Sequence, residues 1–83
     1  MTYQQPTVFV RRAMDHIETV LSAQGHPVRV TYIGFNAFEG EQFQVPLVLQ
    51  PDWAAAIGVA TGAQVDLVPY PAAGYSFFFL RWL

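Results

Sequence analysis

An 83-residue chain has room for one domain, and a domain of that size buries only about 60–65% of the surface its unfolded chain exposes. Yet 53% of the residues are hydrophobic and 12% are charged, against about 25% charged in an average domain. There is more apolar material than one small core can use, so part of it is expected to meet another chain, in the first instance a second copy as a homodimer.

The formal net charge is −2, and all four cations are arginines: Arg11, Arg12, Arg29 and Arg81. Nucleic-acid binding normally needs clustered Lys and Arg to displace counterions from phosphates. Only Arg11 and Arg12 are adjacent, so a nucleic-acid partner is not expected. The six acids are too scattered to mimic a DNA backbone. The absence of cysteine excludes disulfides, thiolate nucleophiles and thiolate metal sites. The absence of lysine excludes a Schiff base and a phosphate-loop lysine. No apolar run approaches the roughly 18 residues of a membrane span, and the opening MTYQQPT has no basic region followed by an apolar core. A soluble cytoplasmic protein without membrane contact is expected.

Residues 1–6 read as a loose arm. Thr7 can then cap a helix running to about Gln24, because Val10, Ala13, Met14, Ile17, Val20 and Leu21 recur at intervals of three and four. Arg11, Arg12, Asp15, His16, Glu18, Thr19 and Ser22 occupy its wet face, with Arg11 and Asp15 spaced for an ion pair. Gly25 suits the left-handed cap position and Pro27 cannot continue the helix.

Val28 to Phe35 reads as a strand in which Gly34 marks a bulge or a close approach. A polar loop around Gly40 follows. Phe43, Val45, Leu47 and Leu49 then alternate with Gln42, Gln44, Pro46, Val48 and Gln50, with Pro46 placing that strand at an edge or a bulge. The two strands form an antiparallel hairpin. Pro51 and Asp52 open a short helix that ends at Gly58, with Trp53, Ala56 and Ile57 on one face. After a turn at Gly62, a third strand covers Gln64 to Pro69, and a turn with Pro71 and Gly74 leads to the last strand. The expectation is a single α+β domain over residues 1–83: N-terminal amphipathic helix, antiparallel hairpin, short helix and two further antiparallel strands, in the order α-β-β-α-β-β.

The last strand, YSFFFLRWL, is apolar on both faces. Tyr75, Phe77, Phe79 and Leu83 share one side; Phe78, Leu80 and Trp82 share the other. Such a strand needs cover on both sides, from this chain or a second copy. Phe79→Ala is expected to cost about 3–5 kcal/mol if that ring is core.

Residues 44–68, QVPLVLQPDWAAAIGVATGAQVDLV, carry a strand, a short helix, a Gly-apolar pair at Gly58 and Val59, a second Gly at Gly62 and alternation at Val65 and Leu67. In that pattern the segment resembles the AbrB/MazE-like family of small bacterial swapped-hairpin proteins. The resemblance implies an interleaved homodimer that binds DNA as a transcriptional regulator or antitoxin. Ala63 stands where the family commonly has Asp, and the hairpin loop carries Glu39 and Glu41 with only Arg29 nearby. No DNA-contacting position carries over.

Catalytic constellations are sparse. Asp15, His16 and Glu18 cluster in sequence, but neighbours on a helix diverge by about 100° and lie here on its solvated face. Ser22 and His26 have no third group to orient the histidine and no recognisable oxyanion donors. His16 and His26 sit on different elements, which argues against a metal site, and no cofactor motif is present. The aromatics are the remaining signal. Phe38 at the hairpin tip, together with Phe77, Phe79 and Trp82, are the candidate protein-interface residues. The expected function is a non-enzymatic protein-binding module, an inhibitor or accessory factor of bacterial or phage type, with the DNA-binding regulator as the alternative.

Overall fold

The computed structural model describes residues 6–82. The arm expected over residues 1–6 lies, apart from Pro6, outside the described residues, as does Leu83.

Helix α1 (Val8–Ala23) begins where Thr7 accepts a hydrogen bond from the Val10 N–H at 3.1 Å, satisfying one of the orphan donors of the first turn. It ends in a Schellman motif. The His26 N–H donates to the Leu21 carbonyl, the Gly25 N–H donates to the Ser22 carbonyl, and Gly25 takes φ +89°. Val10, Ala13, Ile17 and Leu21 turn inward. The Arg11–Asp15 ion pair does not form; the ion pair found among the described residues joins Arg81 to Asp66.

The hairpin is tighter than expected. β1 (Thr31–Asn36) starts three residues after Val28, and residues 28–30 stay outside the ladder. The Val30 N–H is taken instead by the Glu18 carboxylate at 2.9 Å. The pairing register shifts between Tyr32 and Gly34, so the anticipated bulge is there. β2 (Gly40–Val45) begins at Gly40 itself, which faces Asn36 across the turn instead of sitting mid-loop.

β2 is not an edge strand. It pairs with β1 on one side and with the last strand on the other, and it stops at Val45. Pro46 lacks the N–H that an interior strand needs, so it ends the strand and does not mark an edge. Residues 46–50 leave the sheet, yet Leu49 still reaches the core, its N–H held by the buried Ser76 hydroxyl at 2.9 Å.

Helix α2 (Pro51–Thr61) runs a turn past Gly58. Gly62 caps it at φ 70°, its N–H donating to the Gly58 carbonyl. Val59, Ala60 and Thr61 therefore belong to the helix and not to a turn. β3 (Gln64–Tyr70) and β4 (Tyr75–Arg81) complete an antiparallel sheet of order β1-β2-β4-β3. The fold is α+β, with the expected element order.

Both helices pack on one face of the sheet. Ile17, Leu21, Phe43, Val45, Ile57, Phe78 and Leu80 are fully buried between the layers, with Phe43 stacked on Phe78 at 5.3 Å. Cover for β4 thus comes on one side only. Ser76, Phe78 and Leu80 face the helices; Tyr75, Phe77 and Phe79 face away, and no described element packs over them. No helix among the described residues is long and apolar enough to cross a membrane.

Candidate protein-docking face

The open side of the sheet is built from alternate residues of three strands. Directly opposed residues of antiparallel strands share a face. Register therefore sets Tyr75, Phe77 and Phe79 of β4 beside Tyr70, Val68 and Asp66 of β3 on one flank, with Gln44 and Gln42 of β2 beside Phe77 and Phe79 on the other. Solvent-facing strand positions are ordinarily polar. Here three successive outward positions of a central strand are aromatic.

Three of the rings form a cluster. Tyr70 lies 5.1 Å from Tyr75 and 5.6 Å from Phe77, and Tyr75 lies 5.4 Å from Phe77; both contacts to Phe77 are edge-on. Edge-to-face contacts at these separations are favourable. Val68 and Tyr70 keep 39% and 43% of their surface exposed beside them.

The rim is polar. At one end Arg81 bridges Asp66 at 3.6 Å and donates to the Phe38 carbonyl at 3.2 Å, tying the hairpin tip to the sheet. At the other end Arg29, Thr31, Gln44 and Tyr75 border a shallow recess of about 450 Å³. The face thus has an aromatic centre and a rim of amides and charges.

Of the four residues singled out from sequence, Phe77 and Phe79 lie on this face. Phe38 stands 87% exposed at the hairpin tip, with its turn held by the Asn36 side chain, which accepts from the Phe38 and Glu39 N–H groups. Trp82 is on the other side of the sheet. Its indole N–H donates to the Thr61 carbonyl at 2.8 Å and its ring meets Phe9 edge-on at 4.7 Å. Tyr75 joins Phe77 and Phe79 by the alternation along β4 itself; Tyr70 and Val68 complete the patch through the β3–β4 pairing, which no local motif announces.

The ionisable clusters do not converge. His16 is exposed on α1, and the Glu18 carboxylate is engaged by the Val30 N–H. The His26 ring rests on Trp53 at 4.6 Å. No group of three His, Cys, Asp or Glu side chains is placed to hold a metal among the described residues. The strongest perturbation is at Tyr32, whose hydroxyl donates to Glu41 at 2.6 Å. Burial, then that hydrogen bond, then the negative charge of Glu41 hold the phenol well above its ordinary range. A neutral phenol held so firmly is a structural tie and a poor acid. No protein-family model, curated protein or solved structure matches the chain.

Proposed function

We propose that the chain is a small non-enzymatic protein-binding module that works as a homodimer and docks another protein on the open face of its sheet. The observation that carries this reading is the Tyr70–Tyr75–Phe77 ring cluster, joined by its own ring contacts on a face that no described element covers. Rigid aromatics lose little side-chain entropy on binding and bury large areas, which is why a few of them dominate interface energies. Neutral Gln42 and Gln44 beside them offer both donors and acceptors to a partner backbone.

The test is comparative capture from extract on immobilised chain, with Phe77→Gln as the paired bait. The reading expects a protein retained by the wild type and lost from the variant, since removal of a central hot-spot ring lowers affinity by about 30-fold or more. Retention of the same proteins by both baits, with unchanged circular dichroism, defeats it.

A further inference from the structure

β3 ends the sheet, pairing with β4 on one side only, so its other edge has no strand partner among the described residues. Beside that edge runs a groove of about 430 Å³ between α2 and β3. Val65 and Leu67, both half-buried, form its floor; Pro51, Ala55 and Gly58 line the helix wall. Gly58 keeps that wall low: a Cβ there would stand 3.1 Å from the Ala63 carbonyl oxygen and 3.5 Å from Val65. The walls carry no charged side chain. An open strand edge beside an apolar groove fits one kind of occupant, an added strand whose alternate side chains are apolar.

We propose that a second copy of the chain supplies that strand. The β3 strands of two molecules pair antiparallel about a two-fold axis through Leu67, giving one continuous sheet of eight strands. This rests on the self-association in the reading above and is independent of the docking partner.

The sequence of β3 is self-complementary. The groove calls for apolar residues at alternate positions, and Val65 and Leu67 are such residues. A two-fold pairing keeps each face with its like only when the axis passes through a residue. An axis through Asp66 sets two carboxylates directly opposite, which is repulsive. An axis through Val68 leaves Gln64 and Val65 without opposite numbers. The axis through Leu67 uses the whole strand, setting Asp66 against Val68 and Val65 against Pro69 of the second copy. Pro69 has no N–H to donate, so the ladder is strongest near the axis.

The size of the contact is also consistent. Seven paired residues span about 24 Å. The molecule is 20 Å across its thinnest dimension. Each copy then contributes roughly 500 Å², or roughly 1,000 Å² in total, the lower bound for a specific interface. An interface of that size is expected to be weak and concentration-dependent. Because Val68 and Tyr70 lie on β3, the axis also brings the two aromatic patches together as one strip on the open face.

The chain has no cysteine, so a single introduced thiol reports the axis directly. Opposed Cα atoms in an antiparallel pair are about 4.5–5.5 Å apart, within disulfide reach. Leu67→Cys should form a covalent dimer under mild oxidation. Phe77→Cys should not, because three strand spacings, roughly 14 Å, separate that position from its mate. Light scattering on the unmodified chain should show the mass moving from one chain to two between about 1 and 500 µM. Leu67→Glu should stay at one chain throughout with unchanged circular dichroism, while Phe77→Gln dimerises like the wild type. A single-chain mass at every concentration overturns the proposal. So does preferential cross-linking of Phe77→Cys, or a dimer that Phe77→Gln abolishes and Leu67→Glu spares. Loss of partner capture in Phe77→Gln with dimerisation intact separates the two readings.

Discussion

The indole of Trp82 and the backbone of Thr61 are joined by a 2.8 Å hydrogen bond that closes the end of β4 onto the last turn of α2. Thr61 sits among the final residues of that helix, whose carbonyls have no partner within the helix. Trp82 satisfies one of them while its ring braces Phe9 on α1. One side chain thus clasps both helices to the central strand.

Trp82→Phe keeps an aromatic ring and removes the donor. It should cost about 1 kcal/mol, the net worth of a partly buried hydrogen bond. Trp82→Ala also loses the packing and should cost about 2–4 kcal/mol. Urea denaturation of the two variants checks the order. Equal losses would mean that the hydrogen bond contributes nothing measurable.

The two faces of β4 separate by mutation. Phe78 is fully buried between sheet and helices, whereas Phe79 faces outward beside Asp66 and Gln42. Phe78→Ala should cost about 3–5 kcal/mol, the range for a core phenylalanine. Phe79→Ala should cost about 1–2 kcal/mol, because its ring keeps part of its contact with water in the folded state. Chemical denaturation of both, at a concentration that keeps the chain monomeric, decides it. A Phe79→Ala loss as large as that of Phe78→Ala would mean that something covers the outer face.

That contrast shows what the sequence could and could not convey. Alternation in YSFFFLRWL separates two faces, but both are apolar, so nothing local says which one the helices take. The α1 boundaries were legible because the Thr7 cap and Gly25 act within a few residues of the helix ends. The end of α2 was not. Gly58 and Gly62 are both plausible stops, and the choice depends on the helix packing over Val65. Pro46 is ambiguous for a related reason: whether a proline marks an edge or a strand end depends on β4 inserting beside β2, a pairing between residues more than thirty apart. Ser76 is a polar residue within the apolar run YSFFFL, and it holds the Leu49 N–H across 27 residues. Tyr70 likewise joins the aromatic patch only because it faces Tyr75 across the β3–β4 turn.

The Tyr32–Glu41 pair makes stability sensitive to alkali. The folded state raises the Tyr32 pKa above its ordinary value of about 10. The sign follows from linkage. Below pH ~10 the phenol is neutral in both states and its stabilisation is complete. Above that, the unfolded chain releases the proton first, so stability falls as pH rises. Tyr32→Phe should cost about 1.5 kcal/mol at pH 7, for a lost hydrogen bond to a carboxylate. It should also lose stability less steeply than the wild type between pH 9 and 11. Urea melts across that interval test it; parallel slopes would remove Tyr32 as the titrating group.

Gly40 and Gly74 both hold positive φ, at 97° and 76°, but only one of them is crowded. A Cβ on Gly40 would run into the backbone carbonyl of Leu80 in the neighbouring strand, whereas one on Gly74 would meet nothing within 4 Å. Gly74→Ala therefore pays conformational strain alone, about 1 kcal/mol. Gly40→Ala adds a clash with a carbonyl that cannot move without opening the β2–β4 ladder, and about 3 kcal/mol in all is expected. Thermal unfolding of the pair isolates the second component, since the first is common to both. A Gly40→Ala protein no less stable than Gly74→Ala would mean that the hairpin tip does not lie against β4, and the tie between Phe38 and Arg81 would go with it.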